Sequence, residues 1–287
     1  MTTTIAESVL THVQLWIYDL EQEKFLPRGG FPEAPYGELQ HDLLQTAIDE
    51  RRSAVRDLGT EAIEIALPIT ISESVIAAVL LTIRTDEGCK IAIERWTRTE
   101  RDELGLAEAC YRSLEHFARI SPYVKFPRGS GLPGETWDDR SCRIIARIDQ
   151  AKAFMRAAGA RKEGLRYGLG IPTMKSEHEL ESVLLLLSTV DFPLLLSYET
   201  WKPSDDQSQL TLGQSCYALG IDAPKADQIA YGEGIVGECF ASRLPVYRSE
   251  PDNDMALAKL FDQDARFALA LPIFNGDQLV QVLQLIG

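Results

Sequence analysis

No run of apolar residues in this 287-residue sequence approaches the roughly 18 to 20 that a helical membrane span requires, so no such span is expected. The amino terminus, Met1-Thr2-Thr3-Thr4, offers neither a basic region nor an apolar core. Nothing in it directs export, and a cytoplasmic location is expected. Cysteine is scarce and scattered: Cys89, Cys110, Cys142, Cys216 and Cys239 form no C-x-x-C pair, which fits reduced thiols. The four histidines stand apart from one another and from any cysteine pair, so no zinc spacing exists, and H-E-x-x-H is missing. There is also no G-x-S-x-G and no P-loop. With 43 acidic residues, chance proximity of carboxylates carries no meaning, and no catalytic constellation emerges. The chain is expected not to be an enzyme. Basic residues are the minority: the net charge of −14 and the lack of a basic stripe argue against nucleic acid and anionic lipid as partners.

What is present is a repeat. Gly129-Ser130-Gly131-Leu132-Pro133-Gly134 returns as Gly232-Glu233-Gly234-Ile235-Val236-Gly237, 103 residues later. Each motif leads to an arginine before a strand-like stretch, Arg140 and Arg243, then to an apolar strand holding a proline, Pro172 and Pro272. Closing strands follow at Ser182 to Leu187 and Leu279 to Ile286. A third copy lies near the amino terminus, where Ile65-Ala66-Leu67-Pro68-Ile69 precedes a strand over Val75 to Ile83. Arg52 there matches Arg140 and Arg243, but no glycine motif precedes it. Three related modules of about 90 residues are each large enough to bury a core. The divisions fall at 1–93, 94–190 and 191–287.

Local patterns fill in these modules. Residues 13–18 and 24–31 read as a hairpin, and a second hairpin spans Leu194 to Tyr217; Trp16 and Trp201 share a position in them. Leu43, Leu44, Ala47 and Ile48 place a helix over Leu39 to Glu50. Residues 97–119 read as a long helix, with Thr97 at its start and Leu104, Ala107, Cys110, Leu114 and Phe117 on one stripe. The middle module then lacks an opening hairpin, and its apolar stripe needs cover from a homodimer or from docking between modules.

G-x-G-x-x-G suggests a dinucleotide site, but that fingerprint requires a βαβ crossover. Here the chain breaks into turn and strand soon after each motif. The glycines are therefore expected to shape tight turns, with at least one in each loop at positive φ.

The order of glycine loop, short helix, Arg-bearing strand, variable helical region, proline strand and closing strand resembles the GAF domain. The resemblance is good over 123–189 and 192–287 and weaker over 10–85. Phe126-Pro127-Arg128-Gly129 through Trp137, followed by Phe154-Met155-Arg156-Ala157-Ala158-Gly159-Ala160, is similar to bacterial sensor modules of that family. It implies an α+β fold of tandem modules, each a mostly antiparallel five- or six-stranded sheet flanked by helices. It also implies a small-molecule pocket on one face, roofed by the region between glycine loop and proline strand. That region holds Trp137, Phe154, Arg156 and Tyr167 in the middle module and Tyr247, Phe261 and Arg266 in the third. These seven are the candidate ligand-binding residues, although the same aromatics could simply close a small core. Bilin-binding members of the family use a Cys-His pair, which does not occur here, and no cofactor is named. Free methionine sulfoxide reductases resemble the third module's opening, yet only Cys239 lies at its loop. The reading is a small-molecule-binding sensory protein that passes its signal to a partner protein, since no output segment follows the last strand. A ligand-free interaction scaffold is the alternative, and a thiol redox enzyme using Cys239 or Cys142 a lesser one.

Overall fold

The computed structural model describes residues 7–32, 41–152, 154–223 and 226–287. Its chain forms three antiparallel sheets in succession. The first is built from β1 (Leu10–Asp19), β2 (Lys24–Phe31), helix α1 (Asp42–Glu50), β3 (Ala54–Asp57), β4 (Ala62–Ile71) and β5 (Ser74–Arg84). The middle module contains β6 (Ile91–Arg98), β7 (Glu103–Arg112), α2 (Glu115–Ile120), β8 (Lys125–Pro127), α3 (Gly131–Asp139), β9 (Arg143–Ile145), α4 (Ala157–Glu163), β10 (Leu165–Met174) and β11 (Leu180–Thr189). The third contains β12 (Ser197–Pro203), β13 (Gln209–Tyr217), β14 (Gln228–Ala230), α5 (Gly234–Ser242), β15 (Val246–Arg248), α6 (Met255–Phe261), β16 (Ala268–Asn275) and β17 (Gln278–Ile286).

Strand order is β2-β1-β5-β4-β3 in the first sheet, β8-β7-β6-β11-β10-β9 in the middle one and β14-β13-β12-β17-β16-β15 in the third. The three orders are the same once the edge strands β8 and β14, which feed the glycine loops, are set aside. This is the α+β architecture of five- and six-stranded sheets with flanking helices that the sequence implied. A nine-residue helix precedes the edge strand β3, β9 or β15 in each module, and each ends on an arginine in the left-handed region: Arg51, Arg140 and Arg243. The first member of that set is thus Arg51, one residue before the arginine the sequence alignment selected. α3 and α5 are longer than the single turn expected after the glycine motif, but each leads into an edge strand that pairs antiparallel with its neighbour, not into the parallel strand of a dinucleotide fold.

The stretch 97–119 is not a helix. It comprises the end of β6, a turn, β7 and the start of α2, so the middle module does have an opening hairpin, contrary to the sequence expectation. The turn closes with Thr99 N–H on Glu103 O at 2.8 Å, and Asp102 takes φ 56° in place of a glycine. The stripe that favoured a dimer therefore dissolves into a hairpin, and the division drawn at residue 93 falls inside β6. Leu39, the expected start of the first helix, lies outside the described residues.

Strand periodicity sorts side chains onto two faces. Ala77, Val79, Leu81 and Ile83 of β5, with Leu184 and Leu186 of β11, face a core shared by all three sheets. Ala78 and Leu80 point the other way, onto Leu43, Leu44 and Ala47 of α1. Val183, Leu185 and Leu187 likewise face the outer layer of the middle module. The proline strands converge inside, where Pro68, Pro172 and Pro272 border a void of only about 30 Å³. Polar contacts fix this docking: Gln281 Oε1 accepts the Cys142 N–H at 2.8 Å, and Gln214 Oε1 accepts that of Ile144 at 2.9 Å. Docking between modules, the second of the two expected covers, is what buries the inner faces.

Candidate functional site

Each hairpin carries a tryptophan at a β-bulge: Trp16 on β1, Trp96 on β6 and Trp201 on β12. Register makes them equivalent, because Trp16 opposes Ala78, Trp96 opposes Val183 and Trp201 opposes Val282 on the closing strands. Two residues earlier, on the same face, stand Gln14, Glu94 and Glu199. The middle and third modules thus bury an acid beneath the helical layer, Glu94 at 0% exposed and Glu199 at 3%.

In the middle module that acid is neutralised from within. Arg156, which precedes α4, donates Nη1 to Glu94 Oε1 at 2.6 Å and Nη2 to Oε2 at 2.7 Å. Tyr111 Oη donates to Oε1 at 2.8 Å and Trp96 Nε1 to Oε2 at 3.0 Å, so both oxygens accept twice. A third donation runs from Arg156 Nη1 to Ser121 Oγ at 2.7 Å. The guanidinium carbon lies 4.3 Å from the Phe117 ring centre, 5.3 Å from Trp96, 5.5 Å from Phe154 and 5.6 Å from Phe126. Such a cation is stabilised by ring faces as well as by the carboxylate. Phe154 and Trp137 belong to the same packed interior, and Arg98 and Arg128 flank Trp137 at 5.6 and 5.9 Å. Three of the candidate residues, Trp137, Phe154 and Arg156, are therefore brought together, but as filling.

The other four candidates sit elsewhere. Tyr167 faces the shared core on the opposite side of its sheet. Tyr247 donates its hydroxyl to Gly30 O at 2.8 Å, and its ring packs on Gly29 of β2 in the first sheet. Phe261, at the end of α6, is half-buried against the shared core. Arg266 pairs with Glu7 at 2.7 Å and lines a cavity of about 270 Å³ between the first and third modules.

The third module departs from the middle one at its helical layer. Its roof encloses a cavity of about 570 Å³, within the range of small-molecule sites. Glu199, Trp201 and Gln284 line its floor, the Gly234 end of α5 one wall, and the segment Pro251–Leu257 another. Glu199 accepts from Trp201 Nε1 at 3.0 Å and from the Tyr217 hydroxyl. Burial pushes its carboxyl above the ordinary value, against the lowering by Tyr217 and Trp201, and the Asp254 carboxylate adds to the rise.

Three substitutions open this space. Ile229 on β14, opposite Leu210, stands where Phe126 stands on β8 opposite Leu104. Gln284, opposite Glu199, replaces the Leu185 that lies opposite Glu94. Asp254 precedes α6 as Arg156 precedes α4, so an acid takes the place of the guanidinium. Asp254 Oδ1 caps its helix by accepting the Leu257 N–H at 2.9 Å. Its Oδ2 lies so near Gly234 that a β-carbon there would fall 2.5 Å from it. None of these residues was selected by sequence reasoning. The repeated Glu-x-Trp at Glu94 and Glu199 was the signal available, hidden while 97–119 read as a helix.

The glycine loops consume their own amides. Gly129 N–H donates to Gly134 O at 2.8 Å and Gly232 N–H to Gly237 O at 3.1 Å. Gly129, Gly131, Gly232 and Gly234 all take positive φ, as the turn reading requires.

No protein-family model matches this chain, and no curated protein does. Among solved structures it is similar to the GAF domain of A. aeolicus NLH2 in an inactive state, at 18% identity over 36% of this chain and 59% of that one, with a TM-score of 0.28. It is similar also to the GAF domain of a phosphoenolpyruvate-protein phosphotransferase from Coxiella burnetii, at 18% identity over 34% and 55%, TM-score 0.28. A free methionine-R-sulfoxide reductase from Neisseria meningitidis, solved with its substrate, is matched at 18% identity over 36% and 53%, TM-score 0.26. The chain thus spans little more than half the length of these three solved structures, and each likeness covers 34–36% of its own sequence.

Proposed function

We propose that this protein is a sensory, non-enzymatic protein of GAF-like modules in which the third module binds a small molecule and the chain passes the resulting change to a partner protein. One observation carries the reading: the same helical layer that is packed solid over Glu94 encloses about 570 Å³ over Glu199. A repeat that keeps its buried acid and tryptophan but removes the filling side chains is suited to admitting a ligand. The roof elements α5 and α6 are short, and α5 ends at Arg243, whose guanidinium reaches Asp277 O on the β16–β17 turn. That turn also meets the first sheet through Ser72 and Asp277. Occupancy beneath α5 thus has a route to the seam between modules.

The chemistry of the cysteines favours binding over thiol catalysis. Cys239 and Cys142 are almost wholly buried, and desolvation raises both thiols well above their ordinary value. The scaffold reading suits the middle module, whose equivalent space is filled by Arg156 and its aromatic neighbours. Native mass spectrometry of the protein purified from its own cells, paired with thermal melts against a metabolite library, tests the proposal. A retained small molecule or a reproducible rise in melting temperature is expected. Neither a bound species nor any shift across the library would sink it.

A further inference from the structure

We propose that the cavity of the third module takes a small organic cation, an amine or guanidinium compound whose charged end sits between Glu199 and Asp254 over the floor of Trp201. This rests on the reading of that cavity as a ligand site and names the chemistry of its occupant.

The sister module already displays that recognition. Glu94 holds a guanidinium through one hydrogen bond on each oxygen, while Tyr111 and Trp96 supply one donor apiece to the same two atoms. Glu199 keeps the two aromatic donors, Tyr217 on Oε1 and Trp201 on Oε2. A carboxylate offers about four lone-pair sites. Two on Glu199 therefore remain to accept from a ligand, one on each oxygen, as Glu94 accepts from Arg156.

Charge points the same way. Among the described residues, five carboxylates border the cavity, those of Glu199, Glu233, Glu238, Asp252 and Asp254, against one cation, Arg248. Arg248 is engaged already, by Glu238 and by Asp252 at 2.9 Å. Two acids facing one buried space repel, and a cation between them removes both the repulsion and the penalty of burying charge. The net charge of −14 draws cations toward the protein from a distance as well. Asp254 in place of Arg156 means that this position does not supply the cation that its counterpart supplies to Glu94.

Thermal melts and titration calorimetry near pH 7.5 test the charge assignment with matched probes: agmatine and tyramine as cations, 4-hydroxyphenylacetate and succinate as anions, and the neutral 4-hydroxyphenethyl alcohol. The cations are expected to bind, tyramine at least tenfold more tightly than its alcohol and acid counterparts. Glu199→Gln and Asp254→Asn should each weaken the cations tenfold or more; Asn keeps the helix cap, so this variant remains informative if Glu199→Gln fails to fold. Preference for the alcohol or the acids, or cation binding unchanged in both variants, would overturn the cation inference while leaving a ligand site. No binding by any probe at millimolar concentration, together with no hit from the metabolite library, would remove the site itself.

Discussion

Arg156 and Asp254 occupy the same place in successive modules, each the residue that precedes a seven-residue helix over a buried Glu-x-Trp floor. One fills its module with a guanidinium and the other leaves an acid facing a cavity. Asp254→Arg should accordingly reproduce the middle module in the third, the new side chain reaching Glu199 and closing the site. Agmatine and tyramine binding should vanish, and the melting temperature should not fall by more than a lost helix cap explains, about 1 kcal/mol. Calorimetry that still detects cation binding in this variant would show that the two positions are not interchangeable.

The middle module gives the converse case. Both side chains of the Arg156–Glu94 pair are essentially inaccessible, at 2% and 0%. Removing one partner strands a buried charge, so Arg156→Ala should destabilise the protein by about 3–5 kcal/mol. Arg156→Met, which retains much of the volume against Phe117 and Phe154, should still leave Glu94 without its cation and recover only the packing part of the loss. Urea melts read this difference, and a loss below about 1 kcal/mol for the alanine variant would mean that the pair carries little of the module's stability.

How much of this was legible in the sequence depends on which physical constraint wrote it. The proline strands and glycine loops were readable because backbone geometry demands those residue types at those places. The β6–β7 hairpin was not, since its turn uses Asp102 in the left-handed region, which aspartate tolerates more readily than most residues, and so lacks the usual punctuation. Leu104 and Cys110 then mimicked one helical face although they lie along a strand. For the site, Trp137, Phe154 and Arg156 meet while Tyr167 faces the other side of its sheet, and spacing cannot tell a filled interior from a lined one. That distinction rests on strand register, which sets Ile229 in the place of Phe126, and on the helix starts, which set Asp254 in the place of Arg156.

Proton linkage follows from the raised Glu199 carboxyl, whose ordinary value is 4.5. In the folded protein it holds its proton above the pH at which the unfolded chain releases it. The protonated group's stabilising contribution is therefore full below the ordinary value and is lost as pH rises through the folded one. A cation binds the ionised form, so its affinity should move the opposite way, falling as pH drops through that raised value. Glu199→Gln should flatten both profiles. Calorimetry in buffers of different ionisation enthalpy should detect proton release on cation binding near the raised value. Proton uptake there would contradict the assignment.

The glycines separate two kinds of constraint. A β-carbon on Gly134 would lie 2.3 Å from Pro127 O, and one on Gly237 would lie 2.5 Å from Ala230 O, backbone contacts that cannot be relieved by a side-chain rotation. Gly232 instead has φ +78° with nothing within 4 Å. Gly134→Ala and Gly237→Ala should each cost more than Gly232→Ala, in the range of about 1–3 kcal/mol for forced overpacking against about 1 kcal/mol for backbone strain alone. Equal losses in chemical melts would contradict the close-approach account of the third glycine.

Thiol reactivity tests the remaining rival function. All five cysteines are buried, and desolvation lifts Cys89 and Cys110 to about 11 and Cys216 to about 12. Cys239, in the second half of α5 and packed into the shared core, is raised well above the ordinary value and is 0% exposed. At pH 8 a thiolate is therefore scarce at every position, and attack by a disulfide reagent must await opening of the fold. The native protein should react with such a reagent over hours, releasing five equivalents within minutes only in denaturant. Replacement of all five residues by alanine or serine should leave ligand binding in place wherever the variant folds. A single equivalent released rapidly from the native chain, traced by peptide mapping to Cys239, would return thiol chemistry to the third module and remove the case for a binding protein without catalysis.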